Sequence, residues 1–387
     1  MSRPQGPGPA VCEDSTSSER ALLQPACFGG ASAARRLDSD RIVRSIEEVL
    51  TAFVADRVRS TRTEEPGLEA LLDAVGDFIA APGKRVRPLL CVLGWYAAGG
   101  TGPAPPVSVL RVAACPELFH AFALMHDDVM DGSDHRRGRP SLHRTLAACH
   151  PSHPRAERLG VNAAILAGDL VLAWSDELLT STPMTPEQSK AVLPVVYRMR
   201  TEIVTGQYLD LVTTSRPTDC LDTALRIARY KTAKYTVERP LQIGAALFGA
   251  DEALHRVLGR IALPLGEAFQ LRDDLLGSFG DPSRTGKPTL DDLREGKHTA
   301  LLACALRRAD PAGRELLRDT MGAADLDAHA ADRVRELLEE CGARQAVEDL
   351  IQERHHQALV HLNRAHLPAT AAAALRDLIQ TVHNRTA

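Results

Sequence analysis

The chain has 387 residues, 44% hydrophobic and 25% charged, with a formal net charge of −4. This is ordinary globular composition, long enough for a sizeable core, and it shows no global bias toward nucleic acid or an acidic membrane. Its eight cysteines form no CxxC pair and no metal-ligand spacing, so they read as reduced, mostly buried thiols of a cytoplasmic protein.

Residues 1–37 are rich in Pro, Gly, Ser and Ala and lack an apolar secretory core, so a disordered N-terminal tail is expected there. From residue 38 the pattern turns helical. "RIVRSIEEVLTAFVADRV" places Ile42, Ile46, Val49 and Phe53 at three- and four-residue steps, and "GLEALLDAVGDFIAAPG" repeats the pattern before a Pro-Gly stop. Pro116 stands ahead of an acidic stretch, where a helix either starts or kinks. "GVNAAILAGDLVLAWSDELLT" is apolar nearly all round and reads as a central helix. Further helices are expected over 186–213, 218–249, 251–278, 299–308, 328–341, 344–364 and 368–384. No apolar run is long enough for an uninterrupted membrane span, and no useful stretch alternates as a strand would. The expectation is one all-α domain over 38–387, a large helical bundle around a central cavity.

Two acid clusters lie on apolar helices. In "LMHDDVMDGSDHRRGRP", Asp127 and Asp131 are four residues apart and share a helical face, with Asp128 at its flank. In "AFQLRDDLLGSFGD", Gln270, Asp273 and Asp274 stand among Phe269, Leu271, Leu275 and Leu276. Carboxylates in sequence that should be packed need cations or donors. Magnesium suits them, because it takes hard oxygen ligands and uses one or two carboxylates while substrate phosphates supply the rest. Asp291 and Asp292 form a third pair that reads only as helix-start acids.

The bases complete this picture. Lysine plus arginine is 46, of which only six are lysine: Lys84, Lys190, Lys231, Lys234, Lys287 and Lys297. All but Lys190 lie in short segments rich in Gly, Arg, Pro or Thr, where a compact point charge suits a phosphate. Lys84 and Arg87 sit three apart beside the Pro82-Gly83 break, and Arg136 and Arg137 follow the first acid cluster. Together these groups suggest a diphosphate bridged to acids by metal and gripped by bases.

At these residues the chain resembles the trans-isoprenyl diphosphate synthases, the polyprenyl synthetases. The resemblance rests on "GKRVRP", "ELFHAFALMHDDVMDGSDHRRG", "AGDLVLAWS", "TGQYLDL", "YKTAKY" and "FQLRDDLLGSFGDPSRTGKPTLDDLREGKHT", in the family's order over roughly residues 80–300. It implies that Asp127, Asp128 and Asp131 bind magnesium, with Asp273 and Asp274 at a third ion. It implies that Arg136, Lys231, Thr232, Gln270 and Lys287 hold an allylic diphosphate. Lys84, Arg87, His120 and Arg137 would hold isopentenyl diphosphate, with Gln207, Asp210 and Lys297 supporting or closing the site. Gly277 departs from the pattern, standing where the fuller motif has aspartate.

The implied reaction is ionisation, condensation and proton loss, in a homodimer, with three magnesium ions per site. Phe122 and Ala123, five and four residues before Asp127, imply a geranylgeranyl (C20) product. Phe122 lies about 7.5 Å along the helix from Asp127, and plain core packing accounts for it equally well. The competing readings are a farnesyl or longer-chain synthase, a class I terpene cyclase, and a non-catalytic partner subunit. No N-D-x-x-S-x-x-x-E pattern follows late in the chain, which speaks against the cyclase.

Overall fold

The computed structural model describes residues 37–214, 216, 218–280, 294–323 and 326–383. Of the tail expected over 1–37, residues 1–36 lie outside the described residues, and Leu37 is a correction, since it packs against the core. Asp38 opens α1 (Ser39–Glu64) by accepting a hydrogen bond from the Arg41 N–H at 2.9 Å. The buried stripe of α1 runs Ile42, Ile46, Leu50 and Val54. It is one residue on from the expected Val49 and Phe53, which are only partly buried. After α2 (Glu69–Ala80), the Pro82-Gly83 break leads into α3 (Val86–Ala97).

Helix α4 (Val107–Met130) continues past Pro116, so the proline neither starts nor ends it. Pro116 is buried, and the neighbouring Cys115 carbonyl accepts a hydrogen bond from Ser175 Oγ at 3.0 Å. Ser175 belongs to α6 (Ala156–Thr180), which packs along α4. Both helices are long and apolar enough to cross a membrane by length and composition alone, though charged residues such as Glu117 and Asp169 interrupt them, so neither is the uninterrupted run that the sequence was expected to lack. The apolar stretch of α4 is 61% buried in the bundle interior, that of α6 only 39%. Between them, α5 (Leu142–Ala148) follows a two-residue antiparallel hairpin, His135–Arg136 against Arg139–Pro140. Arg137 (φ 54°) and Gly138 (φ 73°) form its tip, the doubly left-handed turn that suits a tight hairpin.

A reciprocal cap between Thr185 and Gln188 starts α7 (Pro186–Thr213). The expected helix over 218–249 is built from three pieces. They are α8 (Leu221–Ile227), a π-helical segment (Ala228–Glu238) and α9 (Arg239–Phe248). Within the wide segment the Arg239 N–H donates to Lys234 O, five residues back. Then come α10 (Glu252–Phe279), α11 (Ala300–Arg308), α12 (Pro311–Thr320), α13 (Ala328–Glu340), α14 (Ala343–Arg364) and α15 (Ala369–His383). Helix α12 has no counterpart among the expected helices; the other bounds lie within a residue or two of the expected ones.

The architecture is the all-α bundle expected. Its core is centred on α3, α4, α9 and α10, with α14 along α10. The six described cysteines are unpaired, but only Cys91, Cys115 and Cys304 are buried.

Candidate active site

One cleft of about 1270 Å³ opens between α4, α7, the π-helical segment and α10. Asp127 from α4 and Asp273 and Asp274 from α10 line it together, so the two acid clusters do converge. Lys84, Arg87, Arg136, Arg137, Lys231 and Lys297 line the same cleft, as do His120, Gln207, Thr232 and Gln270. Lys287, Asp291 and Asp292 lie outside the described residues.

At the acid end, Lys231 Nζ stands 3.1 Å from Asp127 Oδ1 and 2.6 Å from Asp210 Oδ2. Gln207 Nε2 donates to the same Asp127 oxygen at 3.0 Å. Burial alone would raise the Asp127 carboxyl, but Lys231, Lys297 and Arg136 together hold it below the carboxylate range. Burial lowers Lys231 by itself, yet Asp127 and Asp210 leave it firmly protonated, above its ordinary value. Burial and the neighbouring Asp127 push Asp131 up, against the pull of Lys297 Nζ at 3.0 Å. Lys297 also pairs with Glu295, whose other oxygen accepts from Ser133 Oγ at 2.7 Å.

The structure separates Asp128 from its neighbours. It is fully buried and grips Arg136 through Nε at 2.8 Å and through Nη2. Asp128 and Asp131 are not among the cleft-lining residues, although Asp131 meets Lys297, which is. Among the described residues no three acids or histidines form a ready-made metal cluster. On α10, Gln270 bridges Thr232 Oγ1 at 2.5 Å and Asp274 Oδ1 at 2.7 Å.

At the basic end, Arg87 Nη2 donates to Tyr235 Oη at 2.6 Å and to Thr236 Oγ1 at 2.8 Å. Its guanidinium lies 4.5 Å over the Tyr235 ring. Tyr235 Oη meets His120 Nδ1 at 3.1 Å. Burial, then Arg87 and the other nearby arginines, hold His120 well below its ordinary value, so it is neutral at pH 7.

The π-helical segment thus supplies Lys231 and Thr232 to one end of the cleft and Tyr235 and Thr236 to the other. Two glycines let it sit close to its neighbours. A Cβ on Gly206 of α7 would stand 2.2 Å from the Lys231 nitrogen, and one on Gly266 of α10 would stand 2.6 Å from the Ala233 Cα. Sequence reasoning missed Tyr235 and Thr236, because nothing in "YKTAKYT" distinguishes a π turn from an α turn. It also missed Arg85 and Glu117. A lone acid in the apolar run "AACPELFHAF" was the available signal, since a packed carboxylate needs a partner.

The description polyprenyl synthetase matches residues 69–341. The chain belongs to that family. A (2E,6E)-farnesyl diphosphate synthase of Mycobacterium tuberculosis is 34% identical over 309 residues, covering 79% of this chain and 80% of that one. A geranylgeranyl diphosphate synthase of the same organism is 34% identical over 284 residues, covering 72% and 75%. The crystal structure of geranylgeranyl pyrophosphate synthase from Corynebacterium glutamicum, complexed with isoprenyl diphosphate and magnesium, superposes with a TM-score of 0.86. It shares 36% identity, over 90% of this chain and 100% of that one. This polyprenyl synthetase is therefore a trans-prenyltransferase. Relatives named for C15 and C20 products are equally similar, so descent alone leaves product length undetermined.

Proposed function

We propose that this synthase condenses isopentenyl diphosphate with an allylic diphosphate to give geranylgeranyl diphosphate. The observation that carries the reading is one cleft whose acid end and basic end are both lined from α4, by Asp127 and His120 respectively. The acid end fits magnesium: its donors are hard carboxylate oxygens, one or two per ion, with room for phosphate oxygens to complete each shell. Asp127, Asp131 and Asp273 would hold the ions, with Asp274 beside them and Asp128 anchoring Arg136. Bound magnesium would offset negative charge growing on the leaving diphosphate.

The chain's own groups do the rest. Arg136, Lys231, Thr232 and Gln270 cradle the allylic diphosphate and stabilise it as its bond to carbon breaks. Lys84, Arg87 and Arg137 hold the second diphosphate, and neutral His120 donates or accepts without adding charge. Gln207, Asp210 and Lys297 keep the first group in place, with Lys287 completing the set. The apolar wall excludes water from the carbocation. Phe122 and Ala123 line the cleft beneath Asp127, and Phe122 packs 5.3 Å from the Phe119 ring and 4.7 Å from the His126 ring. That aromatic wall supports a short product.

Exposed apolar side chains on α6 (Ile165, Leu166) and α7 (Tyr197, Val212), none of them lining the cleft, support a homodimer built on these helices. The deciding experiment incubates pure protein with magnesium, isopentenyl diphosphate and each of dimethylallyl, geranyl and farnesyl diphosphate, then reads product mass. A C20 product is expected, and Phe122→Ala is expected to lengthen it. A C15 ceiling, or an unaltered product in that variant, overturns the length reading. A cyclic hydrocarbon would favour a cyclase, and no turnover a partner subunit.

A further inference from the structure

Among the described residues, two non-glycine residues have left-handed backbone: Arg85 (φ 45°) and Arg137 (φ 54°). Such strain persists only where surrounding contacts over-determine it. Both side chains lie against one glycine. A Cβ on Gly83 would stand 3.4 and 3.5 Å from the Arg137 guanidinium nitrogens and 3.5 Å from Arg85 Nη1. Arg85 lines the cleft with its neighbours Lys84 and Arg87, yet it is only 7% exposed, its guanidinium spent on contacts within the chain. Its Nη2 donates to the carbonyls of Ile79 (3.1 Å) and Ala81 (3.2 Å), tying down the end of α2. Its Nε lies 3.5 Å from Glu47 Oε1. Its Nη1 donates to Glu117 Oε1 at 2.9 Å.

Glu117 is 5% exposed and lies on the cleft wall, on the same face of α4 as His120 and Asp127, three and ten residues on. Its second oxygen, Oε2, is buried without a hydrogen-bond partner. Burial lowers the pKa of Arg137, and Glu117 is the main charge opposing that. Arg137 Nη1 meanwhile donates to Pro82 O at 3.3 Å. The acid therefore pairs directly with Arg85 of the Pro82–Arg85 turn and reaches Arg137 only through its field.

We infer that Glu117 is a positioning residue for the second diphosphate. Through Arg85 it fixes the strained turn that carries Lys84 and leads into Arg87. This rests on the reading of the cleft given above. Glu117 touches no substrate. Its part is to hold several like charges in one arrangement that an anion completes.

The sign of the effect separates positioning from bare charge. An acid beside a bound diphosphate repels it, so a residue acting only through its field would tighten substrate binding when neutralised. A positioning residue weakens it instead. In Glu117→Gln, the KM for isopentenyl diphosphate is expected to rise roughly tenfold, with kcat and the KM of the allylic partner within about twofold. Arg85→Lys, which keeps the charge and loses the fork, is expected to move the same constant the same way. The double variant Arg85→Gln/Glu117→Gln is expected to be no worse than the worse single one.

An isopentenyl diphosphate KM that is unchanged or lower in Glu117→Gln overturns the inference. Should that variant not fold by circular dichroism, Glu117→Asp takes its place: its shorter reach should raise the same KM, and an unchanged value overturns the inference. A wild type inactive on every substrate pair sinks the reading of the cleft and this inference with it. An active wild type with unaltered variants sinks the inference alone.

Discussion

The two ends of the cleft hold charge in opposite ways. At the acid end the carboxylates of the first cluster and Asp210 face cations of the chain itself: Lys231 on Asp127 and Asp210, Arg136 on Asp128, Lys297 on Asp131. At the basic end, Arg87 rests on the neutral oxygens of Tyr235 and Thr236, and Arg137 on a backbone carbonyl. The α4 side of the first end is neutralised from within, so in the proposed reading incoming cations displace ion pairs there. The second keeps excess positive charge and is preorganised for an anion. The contrast explains why no metal cluster stands ready at the acid end although the carboxylates are in place.

The largest test of this contrast is Asp127→Asn. Turnover is expected to fall by at least about 10²-fold, with helix content by circular dichroism unaltered. Full activity would remove the acid end from the chemistry. Next is Arg87→Met, which empties the preorganised end. The KM for isopentenyl diphosphate is expected to rise about 10- to 100-fold while the allylic KM stays put, because charge-assisted contacts are lost at one end only. Equal rises in both constants would merge the two ends.

A smaller effect follows at the segment joining them. Gly206→Ala forces a methyl group against the Lys231 backbone. It is expected to cost about 1–3 kcal/mol in denaturant unfolding and to lower activity with both substrates. The smallest effect concerns His120, whose folded pKa lies below its unfolded value of about 6.5. Below that pH the unfolded chain binds a proton that the folded one refuses, so stability falls as pH drops through about 6.5 toward the folded value. The loss of melting temperature between about pH 7.5 and 5.5 should shrink in His120→Gln. An unaltered loss would show that His120 takes up its proton in the folded cleft.

Helix periodicity made most of the bundle legible, because α-helical burial repeats every three to four residues whatever the neighbours. It was least reliable where tertiary packing chose between adjacent faces, as in α1, where Leu50 and Val54 rather than Val49 and Phe53 are fully buried. The convergence of Asp127 with Asp273 was legible, since acids embedded in apolar helices must face a cavity or a partner. That Asp128 turns away to bind Arg136 was not: consecutive residues differ by 100° of rotation, and only the packed hairpin decides which one meets the guanidinium. Arg85 was hidden for a related reason. Its inward course depends on a left-handed backbone that no residue type announces. The π-helical segment was invisible because its widening changes the period by less than a residue per turn.

That segment has a consequence for redesign. In the proposed reading Lys231 and Thr232 serve one anion, and Tyr235 and Thr236 brace the arginine that serves the other, all within six consecutive residues wedged between two glycines. A mutation that loosens one grip shifts its counterpart, so changes in this stretch should alter both affinities together. Variants selected for new products should instead accumulate on the wall around Phe122 and Ala123, where side-chain bulk can be trimmed without retuning either headgroup.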